Sequence, residues 1–259
     1  MKLSSKKIVF ASVSPQFGKT LLETILKEGA LVVVGSLSPE SIPDHPNLYK
    51  YKIDPSKPDQ IDRLIETSIE ILDKIDVYIT NFGVVNYGED GDGNWTALKS
   101  IFVNNAISPI YTVQKLHQLL PVGVHILLVS TLLNQLTGVG YAVFTATKMA
   151  LDGFAKTFRR QMGNGFHLTV LYPTLIESDS ESSAAFPQVW WQEKRQNFAN
   201  KIVRVVRRPE REVYSSFAFR IFVNLLKILP FSDFFWQNWQ LKRLKQWKSN
   251  QISQSPSSN

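Results

Sequence analysis

The sequence predicts an α/β fold: a single domain whose helices cover both faces of a doubly wound parallel sheet, followed by a C-terminal helical extension rich in aromatic and basic residues. Short apolar runs alternate with amphipathic segments, as strands and helices do in such a fold. The 259 residues are 44% hydrophobic and 20% charged, which suits one globular domain. We predict a core at 1–180, a region at 181–213 with the last core elements, the extension at 214–248 and a disordered tail at 249–259.

The stretch from 126 to 148 is the most informative part of the chain. An apolar run leads through Thr131 into a glycine-containing loop and then into a helix that begins near Tyr141. Because a parallel strand ends at the ligand crevice, polar groups at its carboxyl end and on the next helix face whatever is bound there. Lys148 lies four residues after Phe144, which puts both on one face of that helix.

This stretch resembles the signature of the short-chain dehydrogenase/reductase family, a strand-end Ser followed thirteen residues later by Tyr-x-x-x-Lys. Thr131 and Lys148 match in place, but Phe144 stands where the Tyr belongs. In that family the Tyr exchanges a proton with the substrate oxygen while a nicotinamide exchanges hydride, and the Lys lowers the pKa of the Tyr. The resemblance implies a Rossmann-like, NAD(P)-binding fold. A phenyl ring has no proton to give, so Phe144 puts the ordinary reaction in question.

Composition excludes several kinds of site. The chain has no Cys, so disulfides, thiolate catalysis and cysteine metal sites are excluded. Its four His, at positions 45, 117, 125 and 167, have no metal-ligand spacing. The segment at 1–7 is too short and too soon interrupted for the apolar region of a signal peptide, which predicts a cytoplasmic protein.

The net charge of +7 is concentrated near the C-terminus. The segment 193–248 holds thirteen Lys or Arg against four Asp or Glu, a balance of about +9 that leaves the rest of the chain near −2. A general nucleic-acid surface spreads basic residues over the core fold instead. We therefore predict no nucleic-acid partner.

The first predicted strand, 7–13, leads to the place where dinucleotide-binding folds carry a glycine-rich turn. Of the three family glycines only Gly18 remains, since Ser12 and Gln16 occupy the other two positions. We expect the side chain of Gln16 to obstruct the approach of a pyrophosphate unless the loop is rebuilt. Ser12, Gln16, Phe17 and Gly18 are the candidate pyrophosphate-binding residues.

Two further positions bear on the adenosine end of a dinucleotide. Ser36 ends the second predicted strand, where NAD-specific relatives carry an acidic residue and many NADP users an Arg nearby. The hydroxyls of Ser36 and Ser38 could bind a 2′-phosphate, which favours NADP, or they could be ordinary loop serines. Asp54 matches the family aspartate that contacts adenine, although Asp before Pro55 is also a common turn device.

The next motifs lie after the fourth strand and in the long helix predicted for 95–119. Asn81 and Gly83 match two positions of the family's Asn-Asn-Ala-Gly motif, which mainly steadies the central sheet. Asn104 matches the family Asn that holds a water and the Lys in a proton relay. The next residue is also Asn, so the register could differ by one. Pro109 predicts a kink or break in this helix.

Pro173 and Ile176 follow the strand predicted for 167–172 and match the family segment that lies against the nicotinamide. Thr174 replaces the glycine that gives the cofactor room there. Beyond this segment the resemblance implies a mobile substrate flap, and here it contains Trp190 and a neighbouring Trp. These aromatic side chains indicate an apolar small-molecule substrate or, alternatively, a lid packed shut.

Two kinds of partner follow for the rest of the molecule. Aromatic residues beside Lys and Arg in 214–248 suit an anionic membrane surface and a peripheral location, and the alternative is a helix docked on the subunit or on a second copy. Helices 95–119 and 144–162 correspond to those that form a four-helix interface in the family. The resemblance therefore implies a homodimer or homotetramer.

Two hypotheses for the activity remain open. In the first, Phe144, Gln16 and Thr174 mark a degenerate member of the family without hydride transfer, which binds a ligand, a lipid surface or a partner. In the second, the protein is an NADP-dependent oxidoreductase with an apolar carbonyl or alcohol substrate. Its proton donor is then relocated to Tyr141, or to a water held by Thr131 and Lys148.

Overall fold

The structure of the protein is a computed structural model. It describes residues 3–4, 6–12, 15–83, 94–120, 122–131, 140–162, 165–173 and 194–215, together with the single positions 221, 225, 238, 241, 242 and 245.

The described residues alternate strands with helices, as the sequence predicts. The strands are β1 (Lys7–Ser12), β2 (Leu31–Ser36), β3 (Leu48–Lys52), β4 (Val77–Asn81), β5 (His125–Val129), β6 (His167–Tyr172) and β7 (Glu212–Tyr214). The helices are α1 (Pro15–Lys27), α2 (Pro58–Leu72), α3 (Trp95–Phe102), α4 (Ser108–Leu119), α5 (Ala142–Gln161) and α6 (Arg195–Arg207), with a short 3₁₀ turn at Pro39–Ser41.

The seven strands form one parallel sheet in the order β3-β2-β1-β4-β5-β6-β7. From β1 the chain first builds outward through β2 and β3, and it then returns to place β4 on the other side of β1. This reversal opens a crevice at the carboxyl ends of β1 and β4, which is where open α/β sheets bind ligands. The doubly wound α/β fold is confirmed.

Each face of the sheet is buried under its own apolar cluster. Alternate residues of β1 divide between the two faces, with Val9 in one cluster and Ile8 and Phe10 in the other. Such two-sided burial explains why the strands are nearly continuous apolar runs. The face of α2 that periodicity predicts to be apolar is buried at every position: Ile61, Leu64, Ile65, Ser68 and Leu72.

The long helix predicted for 95–119 is interrupted. A π-helical turn at Val103–Ile107 separates α3 from α4, and Pro109 lies in the first turn of α4, where its missing N–H costs little. The backbone stays right-handed helical through this turn, so the structure shows a change of helix type just before Pro109, and the predicted kink or break stays a prediction. A π turn holds one extra residue, so it rotates the side chains that follow it.

Little of the C-terminal extension is described. Ile221, Leu225 and Leu241 are helical and exposed. Within the described parts of the chain, no helix is both long and apolar enough to cross a membrane. The anionic membrane surface, the homo-oligomer and the cytoplasmic location stay predictions.

Candidate active site

The carboxyl edge of the sheet collects most of the predicted site. Ser12 pairs with Asn81 at the ends of β1 and β4. Thr131 lies two residues beyond β5, and Pro173 lies immediately beyond β6, both buried. Four neighbouring strands therefore bring these residues to one crevice.

Lys148 enters this crevice from α5, and only 4% of its surface is exposed. Its ammonium donates to the carbonyl oxygen of Val129 at 3.1 Å and to that of Phe82 at 3.5 Å. Burial lowers the pKa of Lys148 to about 8, and the carboxylate of Asp152 one helical turn away opposes that shift. The ammonium of Lys148 is thus only partly hydrated, and this loss of hydration disfavours its charged form.

Phe144 lies one turn before Lys148 and is 7% exposed. The ammonium nitrogen of Lys148 is 5.8 Å from the centre of its ring, and the ring of Tyr141 packs against it edge to face at 6.4 Å. Tyr141 is the residue before α5 and is 3% exposed. The prediction that Phe144 and Lys148 share a helix face is consistent with this contact.

The structure places Asn105, and not Asn104, at the crevice, which is the second of the two registers that the sequence left open. The side-chain N–H of Asn104 donates to the carbonyl oxygen of Ser100 one turn back, in a hydrogen bond at the surface. Asn105 is fully buried instead, and its Oδ1 faces Gly83. The π turn at Val103–Ile107 produces this difference, since its extra residue decides which of two consecutive Asn points inward.

Gly83 lies between the two polar side chains of the site. A Cβ added to Gly83 would be 2.9 Å from Asn105 Oδ1 and 3.4 Å from Lys148 Nζ. Only a residue without a Cβ lets these two side chains pack so closely against the chain at the end of β4. Gly83 therefore brings Asn105 and Lys148 together at the crevice, beyond the sheet-steadying role that the resemblance implies.

Behind the crevice lies a buried polar pair that sequence reasoning missed. Ser130 donates to Asp152 Oδ1 at 3.0 Å, and both are buried. Burial, together with the charge of Asp152 and a hydrogen bond to it, raises the pKa of Tyr172. Asp152 lies four residues after Lys148, so helical spacing could have revealed it. No sequence signal separates Ser130 from Thr131, which the resemblance places in the catalytic position.

The far end of the crevice is formed by α1 and β2. The first turn of α1 lies at the carboxyl end of β1, and Gly18 is buried within it. Free backbone N–H groups at such a helix start favour an anion. Ser36 is 6% exposed, and its Oγ accepts the N–H of Ser38 at 3.2 Å. This hydrogen bond is what an ordinary loop serine makes, the second of the two roles considered for Ser36.

Asp54 forms a turn, the second of its two predicted roles. Its Oδ1 accepts the N–H of Ser56 at 2.9 Å and the Ser56 hydroxyl at 2.6 Å, and this hydroxyl holds the pKa of Asp54 below its usual range. Beside it lies a cavity of about 440 Å³. Leu37 and Asp54 line this cavity together with three basic side chains, Lys52, Lys57 and Arg63.

Several predicted residues fall outside the described parts. Ile176 and Trp190 lie there entirely, and so do the side chains of Ser12, Gln16 and Phe17, whose backbone is described in β1 and α1. The obstruction expected from Gln16 therefore stays a prediction.

Comparison with known proteins agrees with this architecture. The family model described as enoyl-(acyl carrier protein) reductase matches residues 13–206. A short-chain dehydrogenase/reductase from Burkholderia phymatum, solved with NAD, superposes with a TM-score of 0.72 at 14% identity over 86% of this chain and 93% of its own. A short-chain dehydrogenase from Burkholderia cenocepacia, solved with NADP, gives a TM-score of 0.71 at 18% identity over 83% and 97%.

Among curated relatives, 11-beta-hydroxysteroid dehydrogenase 1A of Arabidopsis thaliana is 27% identical over 136 residues. That match covers 52% of this chain and 39% of the plant enzyme. The family model spans more than half of the chain and the two solved structures share its fold. The chain therefore belongs to the short-chain dehydrogenase/reductase family.

Proposed function

We propose that this protein is an NAD(P)-dependent oxidoreductase that interconverts an apolar carbonyl compound and the corresponding alcohol. The observation that carries the proposal is the arrangement at the carboxyl edge. Lys148 and Asn105 are both buried against Gly83, in the crevice of a family whose members exchange hydride. Burying two polar side chains costs free energy, and a function at the crevice accounts for that cost.

The described residues fit a dinucleotide. The helix start of α1 suits the pyrophosphate, and Gly83 lets Asn105 and Lys148 lie close to the end of β4. Asn81 is the last residue of β4, two positions before Gly83. When bound, the reduced nicotinamide would supply hydride. The chain itself would orient the substrate, exclude water and move the proton.

Three basic side chains favour NADP as the cofactor. Lys52, Lys57 and Arg63 line the cavity beside Leu37 and Asp54, next to the ends of β2 and β3. Cationic groups at this end of the crevice complement a 2′-phosphate. They support the preference better than Ser36, whose oxygen already accepts a hydrogen bond from Ser38.

The apolar substrate is supported by the surroundings of Lys148. Phe144 and Tyr141 place two aromatic rings beside its ammonium. The plant relative is named for a hydroxysteroid, which is an apolar alcohol. Aromatic side chains suit such a substrate because they bind it by burying hydrocarbon.

The oxidoreductase is favoured over the degenerate binding protein. Family membership supports it, and so does the enclosure of Lys148 and Asn105. Loss of hydride transfer would remove the constraint on these polar groups, which cost free energy to bury. On this proposal, the Phe at position 144 means that another group donates the proton.

The test is a turnover assay of the purified full chain with NADPH or NADH and a panel of aromatic and steroidal ketones. We expect oxidation of the reduced cofactor that depends on the ketone. No turnover with any ketone, together with no binding of either cofactor, would contradict the proposal.

The cofactor preference has its own test. Arg63→Gln should weaken NADPH binding by roughly tenfold, the value of one charge-assisted contact, and leave NADH binding unchanged. Arg160 on α5 does not line the cavity, so Arg160→Gln is the matched control. An equal loss for both cofactors would show that Arg63 does not read the 2′-phosphate.

A further inference from the structure

We propose that Lys148 itself gives the proton to the substrate oxygen, in place of the Tyr that Phe144 replaces. The inference rests on the proposed oxidoreductase function and names its acid. It differs from the family's chemistry, in which the Lys only assists a Tyr, and it differs from the relocated donor at Tyr141 that the sequence suggests.

Geometry gives Lys148 a proton to donate. An ammonium has three N–H groups, and the two recorded hydrogen bonds to Val129 and Phe82 use two of them. In the described part of the chain, no carboxylate oxygen lies within 4.0 Å of Lys148 Nζ, so Lys148 forms no ion pair there. One N–H is left for a substrate, and the nitrogen that carries it lies 3.4 Å from the position of a Cβ on Gly83, at the carboxyl edge.

The neighbours of Lys148 keep its proton available near neutral pH. Its strand neighbours contribute neutral carbonyl groups, and the π turn contributes the neutral amide of Asn105. The charged group that acts on it is Asp152, whose Oδ1 accepts the hydroxyl of Ser130. Burial outweighs this carboxylate, and the pKa of Lys148 falls to about 8. An acid is most effective when its pKa lies near the working pH.

In the proposed reduction, a reduced nicotinamide would supply hydride to the carbonyl carbon. The C=O double bond would then become a single bond, and its oxygen would take a proton from Lys148 Nζ. The products are the alcohol and the oxidised nicotinamide, with Lys148 left as a neutral amine. That amine regains a proton from water before the next turnover. In the reverse direction the neutral amine accepts the alcohol proton.

Tyr141 is the competing donor within the described residues. Its ring packs against Phe144, with the ring centres 6.4 Å apart, and it precedes the helix that carries Lys148. The ammonium nitrogen of Lys148 lies 3.4 Å from the position of a Cβ on Gly83, and no atom of Tyr141 is among the three nearest to that position. If Lys148 is the donor, its variants lose activity; if Tyr141 is the donor, Tyr141→Phe loses activity.

The experiment combines kinetics with a direct measurement of ionisation in the full chain. The pH dependence of kcat is measured for ketone reduction in the wild type and in Lys148→Arg, Lys148→Met and Tyr141→Phe. The ionisation of Lys148 is followed by NMR with ¹³C-labelled lysine, and its signal is assigned by its absence from Lys148→Arg. NADPH binding to each variant is measured separately.

We expect wild-type reduction to fall above pH 8 with the same midpoint as the Lys148 signal. Lys148→Arg keeps a cation that does not deprotonate, so its kcat should fall by at least about 100-fold while NADPH still binds. Lys148→Met should lose as much, and Tyr141→Phe should keep the midpoint. A Lys148→Arg variant that retains kcat, or a midpoint that moves in Tyr141→Phe, would overturn the assignment of the donor alone. Failure of the wild type to bind or oxidise NADPH and NADH would overturn the proposed function with it.

Discussion

Two buried basic side chains lie at opposite edges of the sheet, and burial affects them differently. Lys148 at the carboxyl edge and His125 at the amino edge are each 4% exposed, and burial is the main cause that lowers the pKa of both. Lys148 reaches about 8, so it still carries a proton at neutral pH. His125 reaches about 4 and is neutral there.

The surroundings of His125 explain why it must stay neutral. Thr169 donates its hydroxyl to the carbonyl oxygen of Glu210, so its oxygen accepts the N–H of His125 Nε2 at 2.8 Å. Nδ1 is then the bare nitrogen, and it is buried without a hydrogen-bond partner among the described residues. Protonation there would bury an unpaired N–H, which costs free energy.

The difference separates a structural site from a chemical one. At the amino edge, one hydrogen bond stabilises the neutral form of the ring and binds strands β5 and β6 together. At the carboxyl edge, two carbonyl groups accept hydrogen bonds from the ammonium of Lys148 and stabilise its charged form. Burial of a basic side chain therefore does not by itself indicate an active site. The protonation state that its neighbours favour distinguishes Lys148 from His125.

The largest expected effect lies at the carboxyl edge, where Gly83→Val should abolish detectable binding of NADPH and NADH. The new side chain would displace Asn105 and Lys148, because even a Cβ comes within 2.9 Å of the Asn105 oxygen. Calorimetry measures the affinity, and circular dichroism shows that the fold persists. Unchanged affinity would mean that Gly83 and its neighbours Asn105 and Lys148 are not part of the cofactor site.

At the amino edge, the free energy of unfolding should fall by roughly 3 kcal/mol as pH decreases from 6.5 to 4. The unfolded His125 binds a proton below 6.5 and the folded one only below about 4, so the unfolded state gains protons first. Urea titrations at several pH values measure this loss. His125→Gln should reduce this pH dependence, and a wild type whose stability is equal at pH 6.5 and 4.5 would reject the assignment.

A smaller change tests how well Lys148 replaces the missing phenol. Phe144→Tyr places a hydroxyl on a ring 5.8 Å from the ammonium, and we expect about a tenfold rise in kcat, since a good acid is already present. The pH profile should also lose its midpoint near 8. A rise from undetectable activity to rapid turnover would show that Lys148 alone is not an effective donor.

The smallest effect is expected away from both edges, on the exposed side of α5. A Cβ on Gly153 would have nothing within 4 Å, so Gly153→Ala should raise the free energy of unfolding by about 0.5–1 kcal/mol through helix propensity. Thermal unfolding should shift upward by about 2 °C. This variant is also the matched glycine control for Gly83→Val, because its cofactor affinity should not change.

Periodicity in the sequence was sufficient for the fold but not for the site. The buried face of α2 follows from spacing alone, because helical geometry fixes which residues share a side. The choice between Asn104 and Asn105 depends on a π turn, a backbone arrangement that no residue type demands. The hydrogen bonds of Lys148 go to carbonyl groups at the ends of β4 and β5, which are distant from it in sequence. Such three-dimensional neighbours leave no local signal.

Calorimetric titration of the purified protein with NADPH and, separately, NADH shows whether the carboxyl edge binds a nicotinamide cofactor. We expect micromolar or tighter binding, with NADPH preferred because of the basic cavity at Lys52, Lys57 and Arg63. Absence of binding by both cofactors would contradict this expectation. The carboxyl edge would then be a crevice without its cofactor, and Lys148 would have no reduction to complete.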